Sequence, residues 1–336
     1  MSKGRDPYFD VVKAIAIIMV VFCHVMAIAP FGTFPVWINN FRVGMNMPIF
    51  FVISGYFVWP MIESLEWRKL LRNVRSYLMP AFFAGIVYTT VDFMITPLSI
   101  YTILNRLTRS VFVDPWFITT LIECQLLLFV AWAVGRKMKW MILLIVLSLG
   151  VIMCRPSYIH GDIHFACLLN MMPHFVFGAI VLRKYRYHFW ENRVWGVISF
   201  VTFMSFVLLE GNADNNGMSF YTADSSISAF RSARGAACFV ARPVLGLLGS
   251  VGVMSLIKIA LDAVPSLVGL AKIGTLTLGI YIFHLWPFRQ LRSIAWVGSS
   301  WWSVALTSIA MLSIFSVVTW FLMERTGRFR KWIWGK

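Results

Sequence analysis

Two ionisable side chains, Lys13 and His24, stand eleven residues apart in an apolar stretch from Tyr8 to Ala29. On an α-helix of 3.6 residues per turn, eleven steps return to within about 20° of the starting direction, so both side chains share one face. An ionisable group at membrane depth costs about 2.5–3.5 kcal/mol on insertion scales. Two ionisable side chains on one face of an apolar helix therefore indicate that this face has a chemical function. The structural alternative is that Lys13 extends to the membrane interface while His24 hydrogen-bonds a neighbouring helix.

The composition predicts an integral membrane protein. Hydrophobic residues make up 59% of the 336 residues and charged residues only 13%, against about 25% charged in soluble domains. We therefore predict an all-α, polytopic protein with about ten transmembrane helices. We expect one domain over residues 1–336, without a separate soluble domain. The ten apolar stretches lie at about 8–29, 43–60, 77–95, 116–134, 139–154, 164–182, 194–210, 236–261, 273–288 and 301–323. Residues 97–114 are predicted to form an amphipathic interfacial segment.

The excess of basic residues, 30 lysines and arginines against 14 acidic residues, serves as an orientation signal. With both termini in the cytoplasm, twenty of the thirty fall in inner segments and eight in outer segments, as the positive-inside rule requires. We therefore expect cytoplasmic termini and no nucleic-acid partner. The five cysteines lack C-x-x-C spacing, and His160 and His164 lie in a short turn that frames a metal poorly, so no metal is expected.

With this orientation, five titratable side chains from five helices fall in the middle to outer half of the membrane. Scattered structural groups would not agree in depth, and intramembrane ionisable residues commonly mark functional sites. Each also has a structural interpretation, as a partner of a neighbouring helix or of a carbonyl freed by a proline. The five side chains are His24, Asp92, Glu123, His174 and His284.

A basic segment follows the second apolar stretch. Arg68, Arg72 and Arg75 are spaced by four and three residues, which places them along one side of a helix. Guanidinium groups bind phosphate oxygens in bidentate fashion, so the stripe suits a phosphorylated donor. Attraction to anionic lipid is the alternative. In the preceding stretch, Ser54 and Gly55 let a ligand or a neighbouring backbone approach closely.

Five motifs in order resemble the acyltransferase-3 family of multi-pass membrane acyltransferases. They cover most of the chain, and their order makes the resemblance specific. The motifs are D-x-x-K-x10-H from Asp10 to His24, P-I-F-F-V-I-S-G-Y from Pro48 to Tyr56, R-x-x-R-x4-P from Arg72 to Pro80 leading into the third helix, Trp116-Phe117, and G-x3-L-G-x-Y-x2-H from Gly274 to His284.

The resemblance implies a membrane-bound O-acyltransferase of the type that modifies surface polysaccharides. Such enzymes carry an acyl group, usually acetyl from acetyl-CoA, to a hydroxyl of a lipid-linked or extracytoplasmic carbohydrate. We therefore expect acyl-CoA, a glycan and membrane lipid as partners, a location in the bacterial inner membrane, and a possible homo-oligomer.

The resemblance and the expected depths in the membrane together suggest roles for individual residues. His24 is the expected general base on the acceptor hydroxyl, with a covalent acyl-imidazole as the competing role. Tyr281 or His284 polarises the carbonyl or orients the acceptor, and Asp92 or Glu123 fixes a histidine tautomer. Lys13 is expected to belong to the catalytic residues and also to bind the donor. The donor-binding residues are expected to be Lys13, Ser54, Arg68, Arg72 and Arg75.

Two departures from the family pattern change the expected site. Lys13 stands where many relatives have arginine, which keeps the charge but removes bidentate phosphate binding. Asp114-Pro115 precedes Trp116 where relatives commonly have a histidine, so a role for that histidine is lost here.

The rival function class is a proton-coupled transporter or flippase for an acyl or glycan substrate, because such proteins also use buried carboxylates and histidines. A structural membrane subunit is a third class. Consumption of an acyl-CoA donor separates the enzyme from both.

Overall fold

The computed structural model of the chain is predominantly helical. It describes residues 6–28, 35–95, 98–112, 114–135, 168, 171–185, 192–211, 233–291, 294, 296–297, 299–325, 327 and 333–334. Helix accounts for 90% of these residues and they contain no β-strand, which confirms the all-α prediction. The α-helices are α1 Pro7–Met26, α2 Val36–Glu63, α3 Trp67–Ile95, α4 Ile100–Phe112, α5 Trp116–Gly135, α6 Arg193–Gly211, α7 Ala233–Ala263, α8 Ala271–Thr275, α9 Thr277–Phe283, α10 Leu285–Leu291 and α11 Trp301–Glu324. A π-helical segment covers Phe177–Leu182 and a 3-10 helix covers Pro265–Leu270.

Six of the described helices are long and apolar enough to cross a membrane, and a seventh span results if the bent pair Pro265–Thr275 and Thr277–Phe283 counts as one. The protein is therefore a multi-pass membrane protein. Ten spans and cytoplasmic termini stay predictions. The predicted span at 139–154 lies outside the described residues.

Helix α1 begins at a well-formed cap. The Asp6 carboxylate accepts a hydrogen bond from the Tyr8 backbone N–H at 2.9 Å, and Pro7 takes the first helical position. Proline is preorganised for that position because the first-turn N–H groups have no intrahelical partner. The predicted first span is thus confirmed as a continuous helix that carries both Lys13 and His24.

The third helix is longer than the sequence predicts. It begins at Trp67, so the basic segment is helical and Pro80 lies inside α3 instead of opening it. A hydropathy criterion detects only the apolar part of a helix, so it did not include the polar residues 68–76 in α3. Arg68, Arg72 and Arg75 consequently share one side of α3.

The predicted helix at 273–288 is broken into α8, α9 and α10. A bend of 52° separates Pro265–Thr275 from Thr277–Phe283. At this bend the Thr277 hydroxyl donates to the Gly274 carbonyl at 2.7 Å, a local side-chain bond of the kind that competes with regular helix. A second break follows Phe283, just before Pro287.

Pro287 has no N–H to donate to the carbonyl four residues earlier, which belongs to Phe283. The hydroxyl of Tyr88 on α3 donates to that carbonyl instead, at 2.7 Å. A buried carbonyl without a partner costs about 1–3 kcal/mol. The tyrosine therefore stabilises the break that presents His284.

The packing divides the chain into two compact units. The first unit comprises the described residues of Met1–Thr33, Leu71–Thr119 and Gly269–Lys336, and the second those of Phe34–Leu70 and Thr120–Val268. In the first unit, α1 packs against α8, α9 and α11. The α1–α8 approach is close enough that a Cβ at Gly274 would overlap the carbonyl group of Asp10. The prediction of a single domain stays a prediction.

The second unit contains a comparable contact between α2 and the π-helical segment. A Cβ on Gly55 would overlap the carbonyl oxygen of Phe175, and one on Gly178 would overlap that of Val52. Close approach through small residues is the usual way that membrane helices associate. In the same unit, α7 packs against α6 and α2.

Replacing Gly274 tests the α1–α8 contact. Because the added methyl group meets backbone, which cannot rotate away, Gly274→Ala should lower the free energy of unfolding by about 1–3 kcal/mol. The measurement is the Tm of the purified protein in detergent. The matched control is Gly269→Ala, whose Cβ would have no atom within 4 Å. An unchanged Tm for Gly274→Ala would contradict the close contact.

Candidate active site

His24 lies in the last turn of α1 and is partly exposed. Its Nδ1 atom is 2.8 Å from the carbonyl oxygen of Val20, one turn earlier. A carbonyl oxygen only accepts hydrogen bonds, so Nδ1 carries the proton and Nε2 carries the lone pair. His24 therefore presents a basic Nε2 atom without needing a carboxylate to fix its tautomer.

His284 occupies the junction between α9 and α10 and is fully buried. Its Nδ1 atom donates to the Ile280 carbonyl at 3.0 Å, again one turn earlier. Within the described part of the chain, its buried Nε2 atom has no hydrogen-bond partner. A donor group that reaches Nε2, such as a hydroxyl, would satisfy this acceptor.

The rings of His24 and His284 meet edge to face, with centroids 4.9 Å apart and planes 75° apart. We call these two residues the histidine pair. Phe288 packs against His24 at a centroid distance of 5.3 Å, and Tyr281 lies 5.7 Å from His284. The Phe117 backbone N–H donates to the Tyr281 phenol oxygen at 3.4 Å. The first helix, the fifth helix and the broken helix thus supply one cluster of rings.

Lys13 lies outside this cluster of rings, and its charge is paired. Its ammonium group forms an ion pair with the Asp10 carboxylate at 2.6 Å, on the same helix. The Asp10 side chain is 5% exposed and that of Lys13 is 24% exposed. Burying the aspartate is tolerable because the lysine offsets its charge. Lys13 and His24 remain about 16 Å apart along α1.

The arginine stripe, Arg68, Arg72 and Arg75, is exposed on the first turns of α3. The Arg68 guanidinium lies 5.6 Å from the centroid of the Trp67 ring. In the described portion of the structure, Arg72 and Arg75 have no carboxylate within ion-pair distance. Their charges are therefore not neutralised by the protein there.

Asp92 is placed differently from its predicted role. Its carboxylate forms an ion pair with Arg106 of α4, whereas the Nδ1 atoms of both histidines donate to backbone carbonyls. Asp92 is therefore not placed to fix the tautomer of His24 or His284. In both histidines, the helix carbonyl one turn earlier fixes it. Asp92 instead faces a cavity.

That cavity has a volume of about 280 Å³ and lies within the first unit, between α3, α4 and the broken helix. Neither member of the histidine pair lines it. Its polar lining consists of Tyr88, Thr89, Asp92, Arg106, Arg109, Ser110, Asp114 and Gln290, and its apolar lining includes Ala81, Ala84, Pro115 and Ile282.

Three further residues from the sequence analysis belong to the second unit. Glu123 on α5 and Ser54 on α2 are partly buried, and His174 is buried. The histidine pair belongs to the first unit. The predicted roles of Glu123 and Ser54 stay predictions.

The described residues contain no group of three His, Cys, Asp or Glu side chains suited to a metal ion. His160 and His164 lie outside them.

Sequence reasoning missed three residues that shape the site. Phe288 packs on His24, Tyr88 satisfies the Phe283 carbonyl, and Arg106 pairs with Asp92. Pro287 was a usable signal, because a proline inside an apolar helix predicts an orphan carbonyl four residues earlier. The sequence offers no comparable signal for which side chain supplies the donor.

A family model described as an acyltransferase domain matches residues 6–331. No curated protein and no solved structure matches the chain at a significant level. The family match includes α1 with His24, the arginine stripe, the cavity and the broken helix with His284. The chain therefore belongs to the acyltransferase-3 family and is a membrane acyltransferase.

Proposed function

We propose that the protein transfers an acyl group, most simply acetyl, from cytoplasmic acyl-CoA to a hydroxyl of a lipid-linked or extracytoplasmic carbohydrate. The product is an O-acylated cell-surface glycan, and the enzyme resides in the bacterial inner membrane. The observation that carries the proposal is the histidine pair, in which both imidazoles have Nδ1 hydrogen-bonded to helix carbonyls. Acyl transfer to a hydroxyl needs such a base.

His24 is the better candidate for the base. A base becomes cationic while it holds the proton, and a cation is far more costly in a fully buried position than in a partly exposed one. His24 is partly exposed and His284 is fully buried. His284 is therefore assigned the neutral role of accepting a hydrogen bond from the acceptor hydroxyl through Nε2, which orients it.

The proposed transfer proceeds in one displacement at the thioester carbonyl. Nε2 of His24 takes the proton of the acceptor hydroxyl as its oxygen attacks the thioester carbonyl. The new C–O bond forms, the C–S bond breaks, and the proton held by His24 passes to the departing sulfur to give free coenzyme A. The Tyr281 hydroxyl is assigned to hydrogen-bond the carbonyl oxygen as negative charge develops on it.

The donor is proposed to bind through its phosphates on Arg72 and Arg75, with Arg68 as a third cation. These guanidinium groups lie on one side of α3, and none of the three forms an ion pair with a carboxylate among the described residues. Guanidinium forks form bidentate hydrogen bonds with phosphate oxygens. Lys13 contributes less to this binding because Asp10 already offsets its charge.

Replacing His24 tests the proposed base. His24→Gln should lower kcat about 10²–10⁴-fold, because general-base catalysis contributes about that much. The measurement is transfer of labelled acetyl from acetyl-CoA by purified protein, in the presence of lipid-linked glycans. The Tm of the variant in detergent should equal that of the wild type. A folded His24→Gln protein with turnover within about tenfold of wild type would remove His24 from the catalytic role.

Neutralising the arginine stripe tests donor binding. The double variant Arg72→Gln/Arg75→Gln should raise KM for acetyl-CoA about tenfold with little change in KM for the acceptor, because charge-assisted contacts are lost only on the donor side. Lys69→Gln is the matched control, since Lys69 is exposed on the same helix but paired with Glu66 at 2.8 Å. It should leave both constants unchanged.

A phosphate-free donor sharpens that experiment. Acetyl-pantetheine lacks the phosphates, so wild type and double variant should use it equally poorly. Equal KM values of both proteins for acetyl-CoA would refute donor binding at the stripe.

A further inference from the structure

The cavity between α3, α4 and the broken helix contains two ion pairs. Arg106 pairs with Asp92, and Arg109 pairs with Asp114 at 3.8 Å. Two cations and two anions give the described charged lining a formal charge of zero. Asp92 lies on α3, Arg106 and Arg109 lie on α4, and Asp114 lies in the turn that follows α4, all within one unit, so the cavity is built by tertiary packing.

The cavity shares a wall with the segment that holds His284. Ile282 and Gln290, which flank His284 in sequence, both line it. Tyr88 also lines the cavity, and its hydroxyl donates to the carbonyl of Phe283, the residue before His284. A molecule held in the cavity therefore lies against the backbone that positions one member of the histidine pair.

The lining chemistry disfavours the phosphates of coenzyme A. Asp92 and Asp114 would repel a phosphate, and each arginine already has a carboxylate partner. The same groups suit neighbouring hydroxyls, because a guanidinium donates, a carboxylate accepts, and the Gln290 amide does both. A sugar ring presents such adjacent hydroxyls without a net charge.

The size of the cavity agrees with one ring. About 280 Å³ lies just below the roughly 300–1,000 Å³ that sites for drug-sized molecules occupy. An extended glycan does not fit inside it, whereas one sugar unit does. Apolar carbons of Ala81, Ala84 and Ile282 offer a surface for the ring's carbon face.

We propose that this cavity is the acceptor subsite, and that it binds one uncharged sugar unit through Asp92, Arg106, Arg109 and Asp114. The assignment rests on the proposed acyl transfer to a carbohydrate. It makes Asp92 a binding residue for the acceptor. A sugar unit bound here is held against the segment that positions His284.

The first test separates acceptor binding from donor binding. In membrane vesicles that contain the cell's own glycans, Arg109→Gln and Asp92→Asn should each raise KM for the acceptor about tenfold, because a hydrogen bond to a charged group is lost. KM for acetyl-CoA should stay unchanged. Arg193→Gln is the matched control, since Arg193 pairs with Asp262 at 3.3 Å but does not line the cavity.

The second test uses the wild-type protein, so it does not depend on the folding of a variant. Methyl glycosides of glucose, galactose, mannose and rhamnose are added as competitors of acetyl transfer, with methyl glucuronide as the anionic counterpart. At least one neutral glycoside should inhibit transfer, and that inhibitor should be weakened about tenfold or more by Asp92→Asn, while methyl glucuronide should not inhibit.

The outcomes that overturn the assignment are distinct from failure of the proposed function. Inhibition by the glucuronide at least as strong as by the neutral glycosides, or no inhibition by any neutral glycoside, refutes an uncharged subsite. Normal wild-type transfer with unchanged acceptor KM in Arg109→Gln and Asp92→Asn refutes the location. Absence of acetyl transfer by the wild type refutes the proposed function, and this assignment with it.

Discussion

The carbonyl of Phe283 is the constraint on which the site depends. Pro287 deprives it of its helical partner, and an unsatisfied carbonyl inside a membrane protein costs several kcal/mol. The Tyr88 hydroxyl on α3 supplies the missing donor. This hydrogen bond stabilises the break between α9 and α10 at His284 and connects the broken helix to α3. The same tyrosine lines the cavity, so the break, the imidazole and the cavity wall are mechanically linked.

In the histidine pair, helix carbonyls fix the tautomer of each imidazole, a role that a carboxylate has in many enzymes. Each imidazole donates Nδ1–H to a carbonyl one turn earlier, which sets the tautomer at little cost in buried charge. Two carboxylates of the first unit are instead held in ion pairs. Asp10 pairs with Lys13, and Asp92 pairs with Arg106. In the proposed mechanism, His24 is neutral before it accepts the proton and cationic while it holds it, whereas charged side chains are assigned to bind the substrates.

Hydropathy and helical spacing predicted the helical class, helix α1 and the shared face of Lys13 and His24, because these properties depend on local sequence. The ordered motifs predicted the family, which the family match confirms. The predicted start of α3 and the predicted continuity of the helix at 273–288 were wrong. Polar residues hid the start of α3, and the breaks around Leu276 and His284 depend on hydroxyl and proline chemistry that hydropathy does not register. The partners of Asp92 and Phe283 depend on tertiary packing, so no sequence period could identify them.

The central claim is that this membrane protein breaks an acyl-CoA thioester and forms an ester. The most direct test is a stoichiometry measurement in vesicles reconstituted with purified protein and lipid-linked glycans. Free thiol and alkali-labile labelled acetyl on glycan are measured together. Acyl transfer predicts one thiol released for each ester formed. Labelled substrate crossing the vesicle membrane without thiol release would contradict the account and identify the protein as a transporter.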